Sequence, residues 1–143
     1  MGGKQPVTAW INYESYNSPA KNLLRAISSE GIDAPLSRYL EERTREEAKR
    51  LNEVQINRLG YALLSRKKMA EAIEIFKLNI KDYPQLANTY DSLAETYLET
   101  GEKKLSLEFY KKALEVDSNY PNAAAAREVI KKLEVELKSS SPK

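Results

Sequence analysis

The spacing Ser-x-x-Lys, which in an enzyme lets an amine take the proton of a serine nucleophile, occurs in SPAK (18–21) and in SRKK (65–68). Acyl transfer through such a pair also needs Ser-Asp-Asn and Lys-Thr-Gly elements, or on another scaffold Gly-x-Ser-x-Gly, and the sequence contains none of them. Ser18 precedes Pro19 and reads as a helix cap, while Ser65 closes a helical stretch. The carboxylate pairs Glu41–Glu42 and Glu46–Glu47 are adjacent in sequence and so point apart on a helix, with nothing apolar around them to poise an acid. With no His and no Cys, the commonest general base, the commonest metal ligand and all thiol chemistry are missing. No Asp/Glu cluster has metal-ligand spacing, and no Gly-rich phosphate loop is present. The expectation is a chain without catalysis, cofactor or metal.

What remains is recognition. Asn57, Tyr61 and Leu64 share one side of a helical segment, and Asn88, Asp91, Glu95 and Leu98 share one side of another. Amides and carboxylates beside a tyrosine can hold a peptide backbone or a basic side chain. The opposite side of the first segment is Ile56, Leu59, Gly60 and Leu63, an apolar face at helical period. A glycine in mid-helix costs about 1 kcal/mol relative to alanine, so Gly60 marks a close approach.

The elements that carry these residues repeat. Shifted by 34 residues, Leu59 falls on Leu93, Leu64 on Leu98, Glu74 on Glu108 and Lys77 on Lys111; Gly60 falls on Ala94 and Phe76 on Tyr110. Each copy predicts helix, turn, helix, over 53–86 and 87–120, with turns near SRKK (65–68) and TGEK (100–103). Gly60 is expected to face Ala72, as Ala94 faces Ser106. Upstream, 18–51 predicts a degenerate pair: Ser18-Pro19 opens its first helix, Gly31 stops it, and Asp33 opens a second that runs to about Arg50. In that second helix Glu41–Arg45 and Glu46–Arg50 stand at i,i+4. Leu23 occupies the small-residue site, so this pair should pack less closely. Asn52 and Gln55 have capping-box spacing. Residues 121–137 predict a last helix with Ala126, Val129, Ile130, Leu133 and Leu137 on the buried side, which covers the end of a stack. Residues 1–17, with Trp10, Tyr13 and Tyr16, read as an irregular aromatic arm, and 138–143 as a disordered tail.

Composition agrees with an all-α class. The 143 residues are 41% hydrophobic and 31% charged, with only 5 Gly and 6 Pro. The 23 basic residues are interleaved with 21 acidic ones, against nucleic-acid binding by clustered cations. No stretch is apolar enough to cross a membrane, the start lacks a signal-peptide run, and Pro6 stands where a myristoylation site wants Ser or Thr. The chain reads as soluble and cytoplasmic.

A 34-residue helix–turn–helix period resembles the tetratricopeptide repeat, carried by Ile56, Leu59, Gly60, Leu63, Ala72, Phe76 and Pro84, then by Tyr90, Leu93, Ala94, Tyr97, Ser106 and Tyr110. In the second copy the proline, Pro121, comes three residues late. The resemblance implies a right-handed superhelical array of antiparallel helix pairs, and a non-catalytic interaction scaffold whose groove is lined by the first helix of each pair. The family's basic clamp for a C-terminal carboxylate does not carry over: Asn57 and Tyr61 stand where it needs Lys and Asn, and Glu95 would repel a carboxylate. The implied partner is a neutral or basic protein or peptide. The runs GIDAPLSRYLEE and ANTYDSLAETYLETGEKKLSLEFYKKALEVD also look like the C-terminal repeat segment of beta-lactamase-like and esterase-like bacterial serine hydrolases. That resemblance implies an accessory domain cut from such an enzyme, extracytoplasmic if the enzyme is exported. A further reading is a homo-oligomer formed through an exposed end or through the aromatic arm.

Overall fold

The computed structural model describes residues 18–140. The aromatic arm read at 1–17 and residues 141–143 of the tail fall outside them. Among the described residues the regular structure is helical: α1 Pro19–Glu30, α2 Asp33–Arg45, a 3-10 turn Glu47–Lys49, α3 Glu53–Ser65, α4 Met69–Asp82, α5 Ala87–Glu99, α6 Lys103–Val116 and α7 Ala123–Ser139. The chain forms two compact units, which meet in sequence between Leu59 and Gly60.

In the first unit the local signals act as their chemistry dictates. Ser18 Oγ accepts the Lys21 amide at 3.1 Å, Pro19 occupies the first helical turn, and Gly31, at φ +86°, ends α1 by donating its amide to the Ile27 carbonyl. Asn52 Oδ1 accepts the Gln55 amide at 2.8 Å while Gln55 Oε1 accepts the Asn52 amide at 2.9 Å, the reciprocal capping box. At Leu23, where the repeat calls for a small residue, α1 and α2 leave a cleft of about 400 Å³ lined also by Ala26, Pro35 and Tyr39.

The second helix is shorter than its charge pattern predicts. It ends at Arg45, and Glu46 is extended at φ −134°, ψ 101°. Ion pairs then form at i,i+3, Glu46–Lys49 at 3.4 Å and Glu47–Arg50 at 2.6 Å. Between Leu40 and Leu51 only Ala48 is apolar, so this stretch has no face whose burial would hold a helix. The Leu51 amide instead donates to Tyr39 Oη at 2.8 Å, and both residues are buried.

The second unit repeats itself in backbone detail. At the end of α3 the Lys68 amide reaches the Leu63 carbonyl and Lys67 reaches Leu64; at the end of α5 Glu102 reaches Tyr97 and Gly101 reaches Leu98. Both are Schellman closures, which place one residue in the left-handed region. Gly101 holds it at φ +86°, and Lys67, one period earlier, at φ +62°. A side chain there costs roughly 1 kcal/mol, partly offset by the extra freedom glycine gives the unfolded chain. Lys67→Gly should therefore stabilise the protein by a few tenths to about 1 kcal/mol in urea unfolding, and a loss of stability would contradict this reading of the turn.

Alanines make the interior of this unit narrow. Ala87, Ala94, Ala113, Ala123 and Ala126 pack in one cluster with Tyr110, Tyr120 and Leu133. The Ser106 hydroxyl donates to the Ala94 carbonyl at 2.8 Å, so the close approach expected in the second copy is a bonded one. In the first copy the atoms nearest Gly60 belong to Phe76. A methyl on Gly60 would stand 2.4 Å from Phe76 Cε1. Gly60 thus makes room for the Phe76 ring, which reaches across from one turn beyond Ala72. The last helix buries Ala126 and Leu133 and half-buries Val129, Ile130 and Leu137, the side that its pattern predicts. It runs Ala123–Ser139, so its end extends into the stretch read from sequence as tail. Lys103–Glu136 at 3.1 Å and Lys111–Glu134 at 3.0 Å join it to α6; exposed pairs of this kind contribute little.

Candidate functional site

One side of α5 carries polar groups at i, i+3, i+4 and i+7: Asn88, Asp91, Ser92 and Glu95, followed by Leu98. Asp91 is only 6% exposed. Tyr120, in the connection from α6 to α7, donates its hydroxyl to Asp91 Oδ1 at 2.5 Å. Asn122, just ahead of α7, donates Nδ2 to both carboxylate oxygens, at 3.1 and 3.0 Å. All these donors are neutral. Burial raises the Asp91 pKa above the ordinary carboxylate value; the bonds from Tyr120 and Asn122 pull it back, and the charge of Glu95 raises it further.

Glu95 is exposed, and its Oε1 accepts the Tyr61 hydroxyl at 2.5 Å. Tyr61 Oη also lies 3.2 Å from Ser92 Oγ, which bonds α3 to α5. The Tyr61 ring meets Phe76 edge-on, centroids 5.1 Å apart. Burial first, then the bond to Glu95, pushes the Tyr61 pKa up. Burial likewise raises Tyr110 and Tyr120, with the charge of Asp91 adding to both. All three phenols therefore remain protonated at neutral pH, and those of Tyr61 and Tyr120 donate to the two carboxylates. Among the described residues, no lysine or arginine forms an ion pair with Asp91 or Glu95.

Of the residues singled out from sequence, Tyr61, Asp91 and Glu95 meet in this network. Asn88 is exposed, and Leu64 and Leu98 are half-buried. Asn57, one turn before Tyr61 on α3, is half-buried and belongs to the first unit. Tyr61 has more structural duty than a groove residue opposite the core would carry: at 36% exposed, it both reaches solvent and leans on Phe76. Truncating it to alanine would remove that ring contact. Sequence reasoning passed over Ser92, Tyr110, Tyr120 and Asn122. Asn122 had a signal, since it falls one period after Asn88.

The serines of the Ser-x-x-Lys spacings have backbone duties: Ser18 caps α1, and the Ser65 hydroxyl donates to the Ala62 carbonyl at 2.9 Å. Among the described residues no group of three acidic side chains could hold a metal ion, and no helix is long and apolar enough to cross a membrane.

The model of the tetratricopeptide repeat family matches residues 51–119, the span of the two regular hairpins, α3–α4 and α5–α6. Residues 51–119 are thus similar to that family. A comparison with curated proteins returns no match to the chain. Tetratricopeptide repeats generally mediate protein–protein interaction, and their all-helical fold is typically non-catalytic.

A buried carboxylate whose donors among the described residues are all neutral is costly, and the sign of its pKa shift makes that measurable. Asp91 holds its proton to higher pH in the folded protein than in the unfolded chain, so folding takes up a proton as it titrates. Its charge therefore opposes folding at neutral pH, and the penalty fades as pH falls through the raised pKa. Asp91→Asn should be at least as stable as the parent at neutral pH, with its advantage shrinking on acidification. An advantage that grows on acidification would contradict the shift.

Proposed function

We propose that the chain is an interaction scaffold of the tetratricopeptide type that binds an extended peptide or partner segment along the polar side of α5, and that this partner is neutral or basic. The observation that carries the reading is the pair Asp91 and Glu95, held in place by Tyr61, Tyr120 and Asn122, with no lysine or arginine among the described residues paired to either carboxylate. Such a surface attracts positive charge and repels carboxylates. The test is an array of random heptapeptides presented with free or amidated C termini. Amidation should leave binding unchanged or strengthen it; binding that is lost on amidation, or that favours acidic peptides, would refute the proposal.

The resemblance to hydrolase appendages supports a second reading, an accessory domain that packs on a serine hydrolase, and the exposed Leu86 and Val116 offer apolar side chains for such docking. DNA sequence upstream of the Met1 codon decides this one: an in-frame hydrolase supports it, and a stop codon ends it.

A further inference from the structure

The first hairpin exposes a surface that the fold covers one repeat later. Tyr39 precedes Phe76 by 37 residues, and the same step lays the cleft between α1 and α2 onto later positions: Pro19 on Ile56, Asn22 on Leu59, Ala26 on Leu63 and Arg38 on Ile75. The four later residues are at most 2% exposed. Of the four earlier ones, Pro19, Asn22 and Arg38 are exposed and Ala26 is half-buried. A repeat buries such a surface against its neighbour in the stack, and the chain that enters α1, residues 1–17, holds no copy of the repeat pattern. The cleft is also altered to suit a smaller occupant. Its floor is apolar and buried, made by Leu23, Pro35 and Tyr39, while Asn22, Arg38, Glu42 and Lys49 give it a polar rim. Its volume of about 400 Å³ is at the small end of the roughly 300–1,000 Å³ of pockets that enclose a bound group. That is room for aromatic rings and too little for a helix pair.

We propose that residues 10–16 fold back onto their own hairpin and fill this cleft with aromatic side chains, in place of the neighbour that a regular repeat has. Trp10, Tyr13 and Tyr16 recur every third residue, so an extended segment with three residues per turn carries all three rings on one side. Reach is ample. Tyr16 lies three residues and Trp10 nine residues before Pro19, spans of up to about 10 and about 30 Å in extended chain, whereas the α1 wall from Pro19 to Ala26 is only about 10 Å long. The rim suits amphipathic rings, whose polar tips stay wet while their bodies leave water. Arg38 holds Glu30 through Nη2 at 3.1 and 3.0 Å, bonds that lie in the guanidinium plane, so its face suits stacking on a ring. Only Asn17 and Ser18 stand between Tyr16 and Pro19. A tether that short gives an effective concentration of about millimolar, which favours the chain's own arm over the arm of a second copy.

Trp10 is the only tryptophan and the chain has no cysteine, so the full chain reports on the arm directly. Acrylamide quenching of Trp10 fluorescence should be several-fold weaker in the protein than in a synthetic peptide of residues 1–17, and should stay so on dilution. Ala26→Glu puts a charge into the cleft at little cost in helix propensity. It should raise quenching to the peptide's level while far-ultraviolet circular dichroism stays helical. A nitroxide on Glu42→Cys, at the rim, should quench Trp10 strongly, and one on Ser28→Cys, on α1 but outside the cleft lining, weakly. That pair of labels carries the test if Ala26→Glu fails to fold. Quenching equal to the peptide's, shielding that survives in a folded Ala26→Glu protein, or equal quenching from the two labels would each overturn the arm's place in the cleft. Shielding that disappears on dilution would seat a second copy's arm there and overturn the proposal as well.

Discussion

Phe76→Ala is expected to cost about 3–5 kcal/mol of folding stability, a large part of the roughly 5–15 kcal/mol that holds a domain together. Phe76 is 0% exposed, its ring fills the space above Gly60, and Tyr61 stands edge-on to it. Removing the ring deletes the contact that α4 makes with α3 at this level and leaves a cavity, because the glycine opposite has no side chain with which to fill it. Urea unfolding followed by circular dichroism measures the loss. A change under about 1 kcal/mol would show that the ring does not carry the packing of the first hairpin.

The second large effect is Gly60→Leu, expected to cost roughly 1–3 kcal/mol through overpacking. Even a methyl group would meet Phe76 Cε1 at 2.4 Å and Cζ at 2.5 Å, and the ring cannot swing aside without displacing Tyr61. The two positions are therefore coupled, and the coupling has a sign. In the parent, Gly60→Ala should destabilise. In the Phe76→Ala background the obstacle is gone, and the same substitution should stabilise by up to about 1 kcal/mol through helix propensity. An identical penalty in both backgrounds would mean that Gly60 is needed for something other than the ring.

How far the sequence foretold this molecule depends on the range of the interaction concerned. The caps at Ser18 and Asn52 and the stops at Gly31 and Gly101 are written in three or four adjacent residues, and each was legible. The repeat was legible because a period of 34 places like residues on like, and even the strained turn at Lys67 falls one period before Gly101. Residues 46–50 misled because i,i+4 charges describe a helix if one forms, and contribute too little to form one where no apolar face continues. Gly60 was rightly read as a close approach, and the atoms nearest to it are those of the Phe76 ring, since spacing locates backbones while side-chain length decides which atom arrives. The site was half legible. Asp91, Glu95 and Tyr61 follow from helical periodicity. Tyr120 and Asn122 lie in and after the turn that leads into α7, so their closure over Asp91 depends on how that turn folds back. Tyr110 aligned with Phe76 as another core ring, and one oxygen atom distinguishes them.

The proposed recognition surface is most directly tested by amide chemical-shift mapping of the 15N-labelled chain with a basic heptapeptide from the array. The account predicts saturable shifts on one side of α5, at Asn88, Asp91, Glu95 and Leu98, and at Tyr61 beside it. Shifts gathered instead around Val116 on α6 and Val135 on α7, with α5 silent, would contradict it.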